Sequence, residues 1–259
     1  KGNIMKAILL GDAMIGGTGF QRAWEKHMGT YGSDIVVNDW EKDWGQLQYR
    51  RLEVEKRGPE IETVDETILK EGQDAQALMG LFVPVSSKVM EAMPKLRIVG
   101  VSRAGLENVN VEEATRRGIL VFNVQGRNAH AVSDFAVGMM LAECRNIARA
   151  HFAIRNGEWR KTFTNSDVVP ELHGRIVGLV GFGHIGRLVA KKLSGFDVKV
   201  VVYDPYTPAE AIKELGAEKV ELEELLKNSD FVSVHARLTS ENKGMIGEHE
   251  IGLMKPTAY

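Results

Sequence analysis

The stretch RIVGLVGFGHIGRLVAKKL, from Arg175 to Leu193, decides the fold of this chain. Its first seven residues predict a buried β-strand, and the part from Phe182 onward predicts an amphipathic helix. The glycines between them fit the spacing G-x-G-x-x-G. A second predicted strand, Val198–Asp204, follows the helix and ends in an acid. Strand, glycine loop, helix, strand and acid in this order are typical of a βαβ unit that binds a dinucleotide.

Each glycine of this loop has a separate predicted role. Gly181 permits the tight turn, Gly183 lets a pyrophosphate approach the backbone, and Gly186 lets the helix pack closely on the strand. The N–H groups that open the helix, around His184 and Ile185, then face the phosphates. The alternative is a glycine-rich turn that binds something else, or nothing.

Asp204 lies 18 residues after Gly186, at the end of the second strand. From there its carboxylate can accept hydrogen bonds from the ribose hydroxyls of adenosine, and its charge would repel a 2′-phosphate. The residue therefore predicts NAD over NADP. An ordinary strand-end acid is the alternative for this residue taken alone.

Outward from this stretch, short apolar runs alternate with longer amphipathic ones, which predicts an α/β protein with parallel sheets. We expect two domains, residues 1–126 and 127–259. The strands predicted in the first are Lys6–Gly11, Asp34–Asn38, Ala75–Gly80, Leu96–Val101 and Ile119–Val124. Four strands are predicted in the second, where a doubly wound nucleotide domain usually has about six. We therefore expect that domain to be incomplete at its C-terminal end.

Two further segments need an interpretation. His130–Arg149 is apolar on most sides until Glu143, which predicts a helix buried either between the domains or in a subunit interface. Arg155–Pro170 is polar and irregular, and connects the halves. The glycines of Gly16–Gly19 lack both the Walker lysine and the dinucleotide spacing, so they predict a flexible loop before a helix rather than a phosphate cradle.

Composition excludes several classes of protein. The 259 residues are 44% apolar and carry a net charge of −2, so no general basic field holds nucleic acid or an anionic membrane. No apolar run reaches the roughly 18 residues of a membrane span, and the N-terminus has no signal-peptide profile. The single cysteine, Cys144, suits a reducing compartment. The histidines show no ligand spacing, so we expect no metal, and we expect a soluble cytoplasmic protein.

Several short motifs in both halves resemble the D-isomer-specific 2-hydroxyacid dehydrogenase family, and most closely its phosphoglycerate-dehydrogenase-like branch. The resemblance covers the chain from about residue 70 onward. The motifs are Arg103-Ala104-Gly105 with Asn108-Val109, Gly126-Arg127-Asn128 with Ala131–Asp134, Gly178–Gly186 with Tyr203-Asp204-Pro205, His235–Thr239, and Met254-Lys255-Pro256.

The resemblance implies a flavodoxin-like substrate domain, an NAD-binding Rossmann domain and an active site between them. It implies a substrate-binding role for Arg103, Ala104, Gly105 and Asn128. Tyr203 and Pro205 would flank the adenine and ribose beside Asp204. Val132, His235, Ala236, Arg237 and Thr239 would lie on the nicotinamide side, although the family usually has proline where Arg237 stands. A homodimer built on the cofactor domains, through the His130–Arg149 helix and the Trp159 segment, is also implied.

The catalytic arginine, glutamate and histidine of the family all fall after Tyr259, so the resemblance assigns no catalytic residue within this sequence. His235 is the obvious substitute base, but its position favours a cofactor-binding or structural role. His130 opens the long helix, and a residue with no chemistry is the favoured interpretation there.

These observations predict an NAD-dependent oxidoreductase that interconverts a small D-2-hydroxy acid and its 2-keto acid by hydride transfer. Two alternatives stay open. One is an NAD-binding sensor or corepressor-like protein of the same fold without turnover. The other is a different NAD enzyme on the same scaffold, such as a formate dehydrogenase.

Overall fold

The structure, a computed structural model, describes residues 5–31, 33–168, 171–239 and 241–259. The chain divides into two compact units, Lys1–Arg127 and Asn128–Tyr259. The last two residues of the predicted connection Arg155–Pro170 lie outside the described residues.

The first unit is a parallel sheet with the strand order β2-β1-β3-β4-β5, which is the flavodoxin-like order. Its strands are β1 Met5–Asp12, β2 Ser33–Glu41, β3 Ala77–Gly80, β4 Ile98–Val101 and β5 Leu120–Asn123. Its helices are α1 Gly17–Met28, α2 Trp44–Arg57, α3 Glu66–Glu71, α4 Ser87–Ala92 and α5 Val111–Arg116.

Both faces of this sheet are covered at β1. Ile8 and Leu10 of β1 belong to one buried cluster, and Ala7 and Leu9 belong to another, because alternate residues of a strand point to opposite faces. This explains why the central strands β3 and β4 are apolar throughout instead of alternating with polar residues.

The second unit is a parallel sheet in the order β8-β7-β6-β9. Counted within the unit this is 3-2-1-4, the order of a dinucleotide-binding half. The N–H of Tyr259 donates to the carbonyl of Asp230, so the pairing continues beyond β9. The strands are β6 Ile176–Val180, β7 Lys199–Tyr203, β8 Ala217–Lys219 and β9 Phe231–Val234. The helices are α6 Ala129–Cys144, α7 Ile147–Arg155, α8 His184–Leu193, α9 Ala209–Lys213, α10 Leu222–Asn228 and α11 Glu248–Leu253. The predicted α/β class with parallel sheets is confirmed.

The prediction of a single helix over His130–Arg149 is wrong. The chain leaves the helix after Cys144, and Asn146 takes a left-handed conformation with φ 54° before α7 begins. Only one side of α6 is buried, at residues such as Val137 and Met140, while Phe135 on the same helix is 69% exposed.

The glycine stretch of the first unit also differs from its prediction. Gly17 to Gly19 form the first turn of α1 and not a loop before it. A Cβ on Gly11 would run into the backbone N of Gly17, so the helix starts directly against the end of β1.

Candidate functional site

The glycine loop of the second unit is closed tightly at its first glycine. Gly181 has φ +98°, and a Cβ there would lie 2.5 Å from the backbone N of Ala236. Both facts require glycine, because the conformation is strained for other residues and the space is already filled. The segment that follows β9 therefore lies directly against the loop.

The other two glycines differ in their surroundings. A Cβ on Gly186 would run into the carbonyl oxygen of Gly181, so close packing of α8 on the loop requires glycine there. A Cβ on Gly183 would meet nothing within 4 Å. The backbone at Gly183 thus borders open space, as the approach of a pyrophosphate requires.

The start of α8 has unpaired donors. Gly183 is its N-cap and supplies no side-chain acceptor. The N–H groups of His184 and Ile185 have no acceptor among the residues that the structure describes. Unpaired N–H groups at the positive end of a ten-residue helix suit a phosphate group.

Asp204 is buried behind the loop, and backbone N–H groups surround its carboxylate. Oδ2 accepts from the N–H of Phe182 at 2.6 Å. Oδ1 accepts from Tyr206 at 2.9 Å and from Thr207 at 2.8 Å. The loop is tied to the same strand end by the N–H of Gly181, which donates to the carbonyl of Tyr203 at 2.8 Å.

The environment of Asp204 keeps it ionised. Burial by itself would raise the pKa of this carboxyl, but the N–H groups of Phe182, Thr207 and Tyr206 outweigh it, and the pKa is lowered. A carboxylate has about four acceptor positions. Three are filled by the backbone, so Asp204 has room for few contacts to a ligand, and it also shapes the loop.

His235 follows β9 and lies beside the loop. Its backbone N–H donates to the carbonyl of Val180 at 2.7 Å, and the Nε2 of its ring is 2.9 Å from Oγ of Ser233. Burial lowers the pKa of the imidazole. Ser233 is a residue that the sequence analysis missed, although it stands two positions before His235 and so on the same face of the strand.

The loop from Arg237 to Thr239 is fixed by Asn242, which the sequence analysis also missed. Its Nδ2 donates to the carbonyl of Arg237 at 2.6 Å, and its Oδ1 accepts from the N–H of Thr239 at 2.7 Å. The spacing Thr239-x-x-Asn242 is the available signal, because threonine and asparagine commonly bond the backbone near them in turns.

Two predicted residues lie at the start of α6, within the second unit. Asn128 is the N-cap of α6, but its side chain makes no capping hydrogen bond. Val132 is half-buried in the first turn. The structure places the glycine loop, Asp204 and the His235–Ala236 segment in direct contact. Asn128 and Val132 lie at the start of α6, which packs against α8, the helix that follows the glycine loop.

The predicted substrate loop follows β4 in the first unit, and its carbonyl groups are tied down. The carbonyl of Arg103 accepts from the N–H of Val124 at 3.1 Å, and that of Ala104 accepts from Asn123 Nδ2 at 2.6 Å. The N–H groups of Arg103, Ala104 and Gly105 have no acceptor within the described ranges. Three successive unpaired N–H groups suit a carboxylate.

The side chain of Arg103 is engaged within the protein. Its Nη2 lies 2.9 Å from Oε1 of Glu55 and 3.0 Å from Oε2 of Glu107. The guanidinium also stacks on the ring of Phe82 at 4.9 Å. Among the described residues, Nη1 of Arg103 is buried without an acceptor, and the backbone N–H groups of the loop are unpaired as well.

Two further findings concern the described residues only. They contain no group of three or more His, Cys, Asp or Glu side chains placed to hold a metal ion. None of their helices has the length and apolar character needed to cross a membrane.

A parallel sheet in this order, with an open glycine loop before a helix and an ionised acid behind it, defines a dinucleotide-binding α/β protein. Residues 137–259 match the model of the D-isomer specific 2-hydroxyacid dehydrogenase NAD binding domain. The chain belongs to the D-2-hydroxyacid dehydrogenase family, and its second unit is the family's NAD-binding domain.

Similar proteins agree with this assignment. A glyoxylate reductase from Thermococcus litoralis is 40% identical over 196 residues, which cover 74% of this chain and 59% of that protein. A D-3-phosphoglycerate dehydrogenase from Methanocaldococcus jannaschii is 36% identical, with 74% and 37% covered. The crystal structure of the TT0316 protein from Thermus thermophilus has a TM-score of 0.69 at 26% identity, with 97% and 71% covered. The chain thus spans less than two thirds of the curated relatives' length.

Proposed function

We propose that the whole protein interconverts a small D-2-hydroxy acid and its 2-keto acid with NAD. The open start of α8 in front of the ionised Asp204 is the observation that carries this proposal. The names of the relatives, glyoxylate reductase and D-3-phosphoglycerate dehydrogenase, give the reaction class.

The described residues bind and orient the reactants. NAD, when bound, would supply the hydride exchange at C2 of the acid. The N–H groups of His184 and Ile185 would hold the pyrophosphate, while Asp204 would take a ribose hydroxyl and repel a 2′-phosphate. The N–H groups of Ala104 and Gly105 would hold the substrate carboxylate.

The remaining contacts come from the family resemblance. Tyr203 and Pro205 would flank the adenosine, and Asn128 would contribute on the substrate side. The residues that we propose for the nicotinamide side are Val132, His235, Ala236, Arg237 and Thr239. His235 is proposed to bind or position and not to act as the base, because its Nε2 is already engaged by Ser233.

The test is binding of NADH and NADPH to the whole protein, followed by reduction of a panel of 2-keto acids. We expect NADH to bind at least about tenfold more tightly than NADPH, and NADH to be consumed with a 2-keto acid. Equal affinity would contradict the role of Asp204, and binding without any turnover would contradict the enzyme. The sensor without turnover has no support among these relatives, which are named as reductases and dehydrogenases.

We also propose a homodimer built on the second unit. Phe135 on α6 is 69% exposed and Trp159 is 79% exposed, and Phe152 on α7 is similarly open. Exposed aromatic side chains of this number are typical of an interface. Light scattering should give twice the protomer mass for wild type. A double variant with Phe135→Glu and Phe152→Glu should give the protomer mass. Leu69→Glu, on an exposed apolar residue of the first unit, is the control and should leave the mass unchanged.

A cytoplasmic location is proposed on the thiol of Cys144, which is free and buried. Burial raises the pKa of this thiol, so it is protected from oxidation as a structural cysteine is. Fractionation of cells that express the tagged whole protein tests this location, and recovery outside the cytoplasmic fraction would contradict it.

A further inference from the structure

The guanidinium of Arg103 is fixed by two residues that lie far from it in the chain. Its Nη2 lies 2.9 Å from Oε1 of Glu55 in α2, and its Cζ lies 4.9 Å from the centre of the Phe82 ring. The first contact is a charge-assisted hydrogen bond and the second a cation–π contact. Because the side chain is only 16% exposed, these contacts hold it in one orientation.

Both supports of Arg103 are themselves fixed. Phe82 is 6% exposed, and its backbone N–H donates to Oδ2 of the buried Asp12 at 3.3 Å. Arg51, which precedes Glu55 by four residues on α2, stacks on the same ring at 5.1 Å. The Nε of Arg51 also lies 4.0 Å from the same Glu55 oxygen. The carboxylate and the ring are therefore in place before any ligand binds.

One nitrogen of this guanidinium has no protein partner. Nη1 of Arg103 is buried and lacks an acceptor within the ranges that the structure describes. The backbone N–H of the same residue is one of the three unpaired donors of the substrate loop. A buried cationic donor without an acceptor is costly, and an anionic ligand removes that cost.

We propose that Glu55 and Phe82 are positioning residues, which hold Arg103 so that its Nη1 donates to the carboxylate of the bound acid, together with the loop N–H groups. They act through Arg103 and touch neither the acid nor NAD. An arginine that is already ordered loses little conformational entropy when the acid arrives. This inference rests on the proposed function, since it concerns the binding of that acid.

The experiment measures kcat and KM of the whole protein for glyoxylate, pyruvate and hydroxypyruvate. Glu55→Gln and Phe82→Leu should each raise KM about tenfold and leave kcat within about twofold, because they weaken binding that is equal in the ground and transition states. Phe82→Tyr keeps the ring and should restore a KM near that of wild type. Glu55→Gln carries the test if Phe82→Leu does not fold.

Glu53→Gln is the matched control. It removes a carboxylate of the same helix that pairs with Lys56 and Arg57, and it should leave both constants unchanged. Residues with a merely structural role would lower kcat, NADH affinity and the urea midpoint together, and such a result for Glu55→Gln contradicts positioning.

A double variant shows whether Glu55 acts through Arg103. Arg103→Met removes Nη1 and should raise KM by more than tenfold. Adding Glu55→Gln should raise it no further, because residues that act on one interaction are not additive. An unchanged KM in Glu55→Gln, or a rise that persists beside Arg103→Met, overturns the inference.

Binding separates this inference from the proposed function. If no 2-keto acid is reduced, the proposed function fails, and calorimetry with oxamate in the presence of NADH decides the inference. Wild type should bind oxamate, and Glu55→Gln should weaken the binding about tenfold. No oxamate binding by wild type, or equal affinity in the two proteins, overturns the inference.

Discussion

Both sheets of this chain begin with a first strand, a turn with glycines, a helix and a second strand that carries an acid, yet the two acids bond different residues. In the first unit, Asp39 accepts from the N–H of Gly17 at 2.6 Å, and Gly17 is the first residue of α1. In the second unit, Asp204 accepts from Phe182, which precedes the start of α8 at His184.

The difference decides which helix can receive a phosphate. The carboxylate of Asp39 occupies the place at the helix start where an anion would bind. Asp204 bonds the N–H of Phe182, two residues before α8 begins, so the first N–H groups of α8 have no acceptor in the described ranges. Glycines and an acid are therefore not enough to indicate a dinucleotide site. What decides is which residue donates its N–H to the carboxylate.

Replacing Asp204 or Asp39 by alanine is expected to give the largest difference between the two units. Asp204→Ala leaves the N–H groups of Phe182, Tyr206 and Thr207 without their acceptor, and each loss costs about 1–3 kcal/mol when buried. The loop then loses its shape, and the Kd for NADH should rise about 100-fold. Asp39→Ala should lower the free energy of unfolding by about 1 kcal/mol, as for a lost helix cap, and leave the Kd unchanged.

Fluorescence titration with NADH and urea unfolding measure both effects. Asp204→Asn, which keeps the shape and one acceptor, tests binding if the alanine variant does not fold. Equal weakening of NADH binding by the Asp39 and Asp204 variants would remove the distinction between the two loops.

A single methyl group tests the open space at Gly183. Gly183 has φ −75°, which alanine adopts without strain, and a Cβ meets nothing within 4 Å. We expect Gly183→Ala to keep its free energy of unfolding within about 0.5 kcal/mol, while the Kd for NADH rises about tenfold because the methyl group blocks the pyrophosphate. Gly16→Ala, at the matching turn of the first unit, is the control and should not change the Kd. Unchanged NADH binding by Gly183→Ala would place the phosphates elsewhere.

The smallest effect concerns pH and the segment beside the glycine loop. Burial lowers the pKa of His235 below its ordinary 6.5, so the folded state favours the neutral imidazole. The contribution of His235 to the free energy of unfolding is fully present above pH 6.5. It is lost as the pH falls through the lowered pKa of the folded state. The urea midpoint of the second unit should therefore fall between pH 7.5 and 5.5, and fall less in His235→Gln. Identical pH dependence in both proteins would contradict a buried neutral His235.

The sequence predicted what is local in the chain. The glycine loop, its strands and its helix follow from spacing within a few residues, because backbone conformation and short apolar runs depend on near neighbours. The wrong prediction over His130–Arg149 has a local cause as well. The residues after Cys144 are still compatible with a helix, and the left-handed Asn146 is what interrupts it.

The contacts between distant residues could not be predicted. Phe182 and Asp204 are separated by 22 residues, and Glu55 and Arg103 by 48. Each partner has several possible ions or N–H groups to bond, and packing of the sheet selects one. The sequence thus indicated the acid at the cofactor site, but neither its bonds to the backbone nor the engagement of Arg103.

The backbone bonds of Asp204 also bear on the kinetics of cofactor capture. The loop is shaped by the protein's own N–H groups, so it needs no ligand to complete it. A preformed cradle loses little conformational entropy on association, and a rigid surface changes shape little between free and bound states. We therefore expect NADH to associate in a single fast phase without a slow rearrangement, so that differences in affinity among loop variants appear mainly in the dissociation rate.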